Sequence, residues 1–446
     1  MAARLHDAAT KMGGSAGRDA VYTKVSWRIM PILLLCYVAN FIDRTNISIA
    51  QIHMRTDLDF TDEIYGIGVG LFFIGFIIFE VPSNILLERI GVRKTLLRIM
   101  VAWGLVSATT TFATTPLRFY CARILLGAAE AGFFPGVLLY LTYWYPSVRR
   151  GRMTSLFFLG LPLSGFIGSA LSGWILHSFN NVFGLRGWQW MFLMEGVPSV
   201  LLGIAAFLFL ADRPQDARWL SIEEKQIIRD DLAKEQAVKG HKGHYSFFDA
   251  LRDPRVYVLG VVGIGTYTLA NAVSFWTPLI ISESGVKEIL NIGFLAAFPP
   301  LVGAVSMLLV GRHSDLTLER RWHAACCEFS AVAALLLLSF FYKNPMVVVP
   351  LLAIMTAGHY SAVTVFWSVP SIYLSEKAAA GGIAIVTAMG SVAAALSPVM
   401  LGWIQKHTGR LSSGLQISAA IISISAIVLL IGVPARLLPE RSNAEL

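Results

Sequence analysis

Long apolar runs alternate with short polar breaks along this chain, and the runs fall into one length class. A helix needs about 20 apolar residues to cross the hydrocarbon core of a bilayer. Twelve segments reach that length: 29–50, 64–86, 96–114, 118–140, 153–176 and 189–211, then 256–282, 289–310, 323–342, 346–371, 380–403 and 414–435. They are spans 1 to 12. The pattern predicts an all-α membrane protein with a six-helix bundle in 27–211, a second in 256–435, and tails at 1–26 and 436–446. Residues 212–255, between the bundles, are polar and charged. Within them "LSIEEKQIIRDDLAKE" sets Glu224 three residues after Ser221. That is the spacing of a capping box, and it predicts a short surface helix.

Composition strengthens this reading. Only 14% of residues are charged, where a soluble globular domain carries about 25%. A net charge of +8 would suit nucleic acid or anionic lipid, but its placement matters more than its sum. With both termini cytoplasmic, 27 of the 36 Lys and Arg fall in cytoplasmic segments and 7 in external loops. Positive charge concentrates on the cytoplasmic side of membrane proteins, so both termini are expected there. The count isolates Arg44 and Arg123 as the cations within spans. Residues 1–26 lack an apolar h-region, so no cleaved signal peptide is expected. Cys36, Cys121, Cys326 and Cys327 lie in apolar stretches without metal-ligand spacing and read as packing residues. No Walker loop, nucleophile elbow or metal-ligand cluster is present, which argues against an ATP-driven pump, an enzyme or a cofactor.

The candidate chemistry starts in "FIDRTNISIA" of span 1. A charged side chain at the centre of a span costs roughly 2.5–3.5 kcal/mol, and a guanidinium cannot discharge. Asp43 and Arg44 are adjacent, so on a helix they point in different directions and do not neutralise each other. Both need partners on other helices or a wet cavity. Span 4, "FYCARILLGAAEAGFFPGVLLY", offers Arg123 and Glu130, two turns and about 10 Å apart on one face. Counting rise from the helix ends puts Arg44 and Arg123 in the outer half and Glu130 nearer the midplane. Two arginines can each grip a carboxylate through paired hydrogen bonds. Two nearby acids can take up protons, since desolvation favours the neutral carboxyl and a neighbouring arginine opposes it. An anion bound to the arginines weakens that opposition, which couples anion to proton. The competing reading is a salt-bridge network that only holds the bundle together.

Other polar positions within spans have structural readings beside functional ones. Glu80 suits a gate or an inter-helix hydrogen bond, and Glu195 and Glu328 suit structural roles. His359 is a proton site or a satisfied bundle histidine; Trp276 and Trp367 line a cavity or pack. Gly127, Gly132 and Gly136 permit close helix approach, and Pro135 marks a bend. A weak repeat links the bundles. "NILLERIGVRK" after span 2 carries Glu88, Arg89, Arg93 and Lys94; "GRHSDLTLERR" after span 8 carries Asp315, Arg320 and Arg321. They read either as gate latches or as ordinary cation-rich cytoplasmic loops.

With these motifs assembled, the chain resembles the major facilitator superfamily, and within it the anion:cation symporter family. The branch is that of tartrate and phthalate uptake, with galactonate and hexuronate transporters as relatives. The resemblance covers residues 20–440 and rests on "FIDRTNISIA", "FEVPSNILLERIGVRK", "RILLGAAEAGFFPG" and "SDLTLERRWH". It implies the major facilitator fold, Asp43 and Glu130 as proton-coupling acids, and Arg44 and Arg123 as substrate-anion arginines. It also implies that Glu88 and Asp315 are acids of an inner-loop gate, with Arg89, Arg93 and Arg320 beside them. The chain departs from the family pattern in two ways: Phe41 stands where a Tyr is frequent, and Thr387 and Ser391 stand in the neighbourhood where many relatives carry an Asn that contacts sugar acids. Both tilt the substrate toward a less hydroxylated or aromatic carboxylate, with Phe41, Trp367 and Thr387 as candidate contacts.

The expected function is proton-coupled symport of a small organic anion through a bacterial inner membrane. The expected partners are that anion, protons and lipid, with no nucleic acid, for a chain acting as a monomer. Two alternatives stay open: a proton-driven exporter of amphipathic compounds, and a non-transporting sensor with this fold. Sequence does not separate H+ from Na+ as the coupling ion.

Overall fold

A computed structural model describes residues 15–239, 247–374 and 379–434. Most of the predicted tails and residues 240–246 of the linker lie outside the described residues, as does the side chain of Glu88. The described chain is nearly all helix, and twelve helices are long and apolar enough to cross a membrane. Their bounds are Gly17–Asp57, Asp62–Leu87, Val92–Phe112, Pro116–Trp144, Ser147–Ser178, Gly187–Phe209, Pro254–Glu283, Ile289–Thr317, Arg321–Phe341, Pro345–Phe366, Gly381–Thr408 and Leu411–Gly432. Span 1 runs well beyond the predicted 29–50. Its polar first turns stay helical because they dock on the linker: Lys24 Nζ meets Glu224 Oε2 at 2.8 Å, and the Tyr22 hydroxyl donates to Asp231 at 3.1 Å.

The linker helix runs Ile222–Lys239. Its capping box closes, with Ser221 N donating to Glu224 Oε2 at 2.8 Å and Glu224 N to Ser221 Oγ at 3.2 Å. Trp219 stacks on Trp144 at 5.7 Å, and Arg150 pairs with Glu235 at 3.1 Å. The linker thus caps one end of the first six spans, called here the linker face.

The first and last six spans meet along two close seams, spans 2 with 11 and spans 5 with 8. Glycine allows both. A Cβ at Gly66 would lie 2.3 Å from the Pro398 carbonyl oxygen, and one at Gly173 would lie 2.8 Å from Gly293 Cα. No side chain fits at either point. The bundle is asymmetric along its axis. At the face away from the linker it is sealed by a buried apolar cluster that includes Ile49, Met54, Phe275, Leu279, Ile280 and Ile292. Arg55 bridges to Glu283 at 3.1 Å, Lys406 pairs with Glu63, and the Tyr65 hydroxyl donates to Phe275 O at 2.8 Å. Toward the linker face the halves part around a cavity of about 1740 Å³, bordered by residues such as Ser26, Arg149, Arg312, Asp315, Tyr360 and Trp367.

Candidate functional site

Three spans lose helical regularity, two of them beside the charged residues that the sequence singled out. Span 1 steps at Asn46, between helices Ser15–Thr45 and Ile47–Asp57. Span 4 breaks at Ala131–Gly132, between Pro116–Glu130 and Phe133–Trp144. Gly132 adopts φ +89°, and a Cβ there would lie 2.4 Å from Ser83 Oγ. The predicted bend at Pro135 therefore falls three residues earlier. Proline is accommodated in the first turn of the new helix, where its missing N–H costs nothing, while the left-handed turn needs glycine. Span 7 widens into a π-helical segment at Ala272–Trp276, a deformation frequent at functional sites. Interrupted helices leave backbone and side-chain groups free to face a cavity.

Around these breaks lies the charged set. Glu130 is fully buried. Its Oε2 accepts Arg44 Nη2 at 2.8 Å, Arg44 Nε at 3.1 Å and Asn40 Nδ2 at 3.0 Å, and its Oε1 has no partner. Arg44 therefore finds its counter-charge on span 4, and it stays 18% exposed. Arg123 is 1% exposed, and its Nε and Nη2 are buried without a hydrogen-bond partner. The two guanidinium carbons lie 5.2 Å and 5.0 Å from the centroid of one ring, Phe72, which puts them at most about 10 Å apart. Arg44 also lies 5.0 Å from the Phe41 ring. Such cation–π contacts contribute roughly 0.5–2 kcal/mol each and hold both cations without neutralising them.

Asp43 does not join this ion pair. It is 1% exposed and turns toward spans 3 and 6, where Ser107 Oγ donates to Oδ1 at 2.8 Å and Trp103 Nε1 to Oδ2 at 3.1 Å. Ser199 Oγ donates to the same Oδ2 at 2.5 Å. The divergence of neighbouring helical positions predicted that Asp43 and Arg44 would part, and they do.

Of the candidate contacts, Phe41 stacks edge-on with Tyr37 at 5.0 Å and borders a small second cavity of about 50 Å³. Trp367 borders the large cavity. Thr387 is half-buried, borders neither cavity, and spends its hydroxyl proton on Ile383 O at 2.9 Å. Of the residues that sequence suggested for a gate, those whose side chains are described sit on the linker face within their own halves. Asp315 pairs with Arg320 at 2.5 Å. Arg93 donates to Phe207 O through Nε at 3.0 Å, and its backbone N–H reaches Asp212 at 2.9 Å. Arg89 is exposed. Arg98, one of the 27 cations counted as cytoplasmic, lies inside span 3 and donates to Ser83 Oγ at 2.6 Å.

Trp276 is one of the groups that sequence left undecided. It is fully buried, and its indole N–H has no partner. Its ring meets Tyr65 edge-on at 5.6 Å, and Tyr65 lies within electrostatic reach of Arg123. Unpaired donors thus come from both halves, Arg123 from the first and Trp276 from the second. Nothing in the apolar run of span 7 signals the π segment that positions Trp276.

Twelve spans around a cavity that opens at one face, with buried charge at the breaks of its helices, define a membrane transporter. The chain belongs to the major facilitator superfamily, whose sequence profile matches residues 33–398. Among its relatives, a Pseudomonas putida protein provisionally named the metabolite transport protein NicT is 43% identical over 94% of this chain and 96% of its own length. An Agrobacterium vitis protein provisionally named a tartrate transporter is 40% identical over 95% and 96%. The inward-open, partially occluded xylose transporter XylE of E. coli shares the fold at TM-score 0.73, with 16% identity over 93% of this chain and 99% of that one. The protein is a multi-pass membrane transporter and not an enzyme.

Proposed function

We propose that this protein imports a small organic anion together with protons, by alternating access, across a bacterial inner membrane with both termini in the cytoplasm. One observation carries the reading: Arg123 is a buried, permanently charged group whose Nε and Nη2 lack partners. A cation held that way inside a membrane protein is costly unless something negative arrives to meet it. The second cation, Arg44, is already paired with Glu130 at 2.8 Å. Spacing of up to about 10 Å across the Phe72 ring suits an anion with two negative groups, and the name of the Agrobacterium vitis relative supports a dicarboxylate.

The coupling follows from that ion pair. An incoming carboxylate takes hydrogen bonds from Arg44 and Arg123, and Arg44 releases Glu130. Glu130 then stands buried without its counter-charge, and taking a proton is its least costly course. Anion and proton therefore load together. Asp43 is the second proton site in this reading. The large cavity on the linker face is the exit path, the apolar seal is the closed outer gate, and Asp315 with Arg320 belongs to the inner latch. Cation excess on the linker face supports its cytoplasmic placement.

The test is uptake into proteoliposomes of radiolabelled tartrate and phthalate under an imposed inward proton gradient. Accumulation of either that collapses with a protonophore and persists without sodium supports the reading. Accumulation that requires sodium, or efflux driven by inward protons, would replace it with a sodium symporter or an exporter.

A further inference from the structure

Asp43 raises a question that the proton-coupled reading leaves open. It is 1% exposed, takes three hydrogen bonds and borders neither cavity, so water does not reach it directly. Span 6 holds a second carboxyl beside it. Glu195 lies one turn before Ser199, the donor to Asp43 Oδ2, and Asp43 is its ionisable neighbour. Glu195 is 4% exposed; its Oε1 accepts Ser172 Oγ of span 5 at 2.7 Å, and its Oε2 is buried with no partner. Asn46, at the step in span 1, approaches Glu195 without closing a hydrogen bond, and both its amide atoms are also unpartnered. No Lys, Arg or His among the described residues pairs with Glu195.

Asn46 and Ser172 border the second cavity, along with Thr45, Ser48, Ser164 and Ser169. Its volume of about 50 Å³ holds about three waters, at roughly 10–15 Å³ each. Its lining hydroxyls and the amide of Asn46 supply the two to four polar partners that a buried water needs. Hydroxyl, amide and carboxyl groups thus lead in order from this cavity through Ser172 and Asn46 to Glu195, and on to Asp43.

We propose that Glu195 is a proton relay, carrying protons between a hydrated pocket at Asn46 and Ser172 and the sealed carboxyl of Asp43. The inference rests on the proton-coupled reading above. In the forward step neutral Glu195 gives its proton to ionised Asp43. A pocket water then gives a proton to the Glu195 carboxylate at Oε2 and leaves hydroxide, which the water chain neutralises with the next proton, so Glu195 returns to its starting charge. Two adjacent buried carboxyls without a cation between them are stable when at least one holds a proton, so the pair passes a single proton and avoids double ionisation. Glu195 acts through Asp43 and does not touch the anion.

The relay is tested in proteoliposomes with tartrate as probe and with E195Q, E195D and S172A. Three quantities are read: tartrate uptake driven by a pH gradient, proton influx from an internal dye, and tartrate counterflow at equal pH. For E195Q, driven uptake and proton influx fall together at least tenfold, while counterflow stays within twofold of the parent. E195D recovers much of the loss, because a carboxyl is restored. Infrared difference spectra of a pH step, taken on the purified protein without any anion, lose a protonated-carboxyl carbonyl band in E195Q. Parental proton influx in E195Q, loss of counterflow along with driven uptake, or an unchanged carbonyl region would each reduce Glu195 to a packing residue. If the unsubstituted protein takes up tartrate with no proton influx, the proton-coupled reading fails first, and the parent alone reveals it.

Discussion

Two buried carboxyls, one in each half of the molecule, occupy matching three-helix junctions. In the first half Asp43 sits among spans 1, 3 and 6; in the second, Glu328 sits among spans 9, 7 and 12, which are the same three positions six spans later. Glu328 is 1% exposed, and both oxygens are satisfied, by Thr266 Oγ1 at 3.1 Å and Ser425 Oγ at 3.2 Å. Asp43 is satisfied as fully. What separates the halves is the surroundings of each acid. Within electrostatic reach of Asp43 lie Glu130 and Glu195, each with one unpartnered oxygen, and the same half holds Arg123 with two unpartnered nitrogens. In the second half the buried cationic atoms left open among the described residues are Arg320 Nε and Arg321 Nε, at the linker-face start of span 9, and each of those guanidinium groups is already held through Nη1, by Ser314 Oγ and by Leu430 O. A buried charge with every atom paired is framework; one with an atom in reserve is equipped to receive a ligand or a proton.

Substitutions can break or sharpen this contrast. The largest expected effect is at Arg123. Leaving a buried charge site without its cation costs about 2–5 kcal/mol, so Arg123→Ala weakens binding of the transported carboxylate at least about 30-fold, read by calorimetry on purified protein. Arg123→Lys restores the charge but not the fork, and recovers only part of the affinity.

Next comes Glu130→Gln. Net proton-driven uptake is lost, while exchange of internal for external anion continues within about threefold, since only the titrating step is removed. If accumulation persists, Glu130 belongs with Glu328 as framework.

Trp276→Phe keeps an aromatic face and deletes the indole donor. A hydrogen bond contributes about 0.5–1.5 kcal/mol, so KM rises roughly two- to tenfold, and the smaller ring in a fully buried site lowers thermal stability as well. Trp276 is the group by which the second half would share in the site, and an unchanged KM would confine recognition to the first half.

The smallest transport effect is expected at Glu328→Gln: uptake within twofold of the parent, with thermal stability reduced by about 1 kcal/mol. A transport defect larger than that of Glu130→Gln would invert the comparison. Outside the membrane, Asp253 caps span 7, accepting Arg255 N at 3.0 Å and its Nη2 at 3.0 Å. The hydrogen bond from Arg255 holds its carboxyl below the usual range. Its contribution is therefore present above the unfolded pKa and fades as pH falls through the folded one. Asp253→Ala lowers stability at neutral pH by at most about 1 kcal/mol, and the difference shrinks in acid.

The twelve spans were legible because an apolar run of membrane length has few other readings, and the capping box at Ser221 because its two bonds are local. Arg44 was legible as a charge in need of a partner on another helix. The identity of that partner was not, since Glu130 lies 86 positions away and only the packing of span 1 on span 4 joins them. The break in span 4 was sought at Pro135 but occurs at Gly132, where close approach to Ser83 and a left-handed turn coincide. Sequence exposes the residue type that permits such a turn, not the neighbour that demands it. Asn46, Trp276 and Glu195 gave the weakest signals. Their importance lies in which of their atoms go unpaired, and that depends on contacts from three or more spans at once.

The central claim is that anion binding frees Glu130 to take a proton. It is tested most directly by adding tartrate or phthalate to the purified, weakly buffered protein and following bulk pH together with heat. The account predicts that binding withdraws about one proton per anion, that Glu130→Gln binds the anion without that uptake, and that Arg123→Ala shows neither. Tight binding with no proton withdrawn by the parent, or withdrawal unchanged in Glu130→Gln, would contradict it.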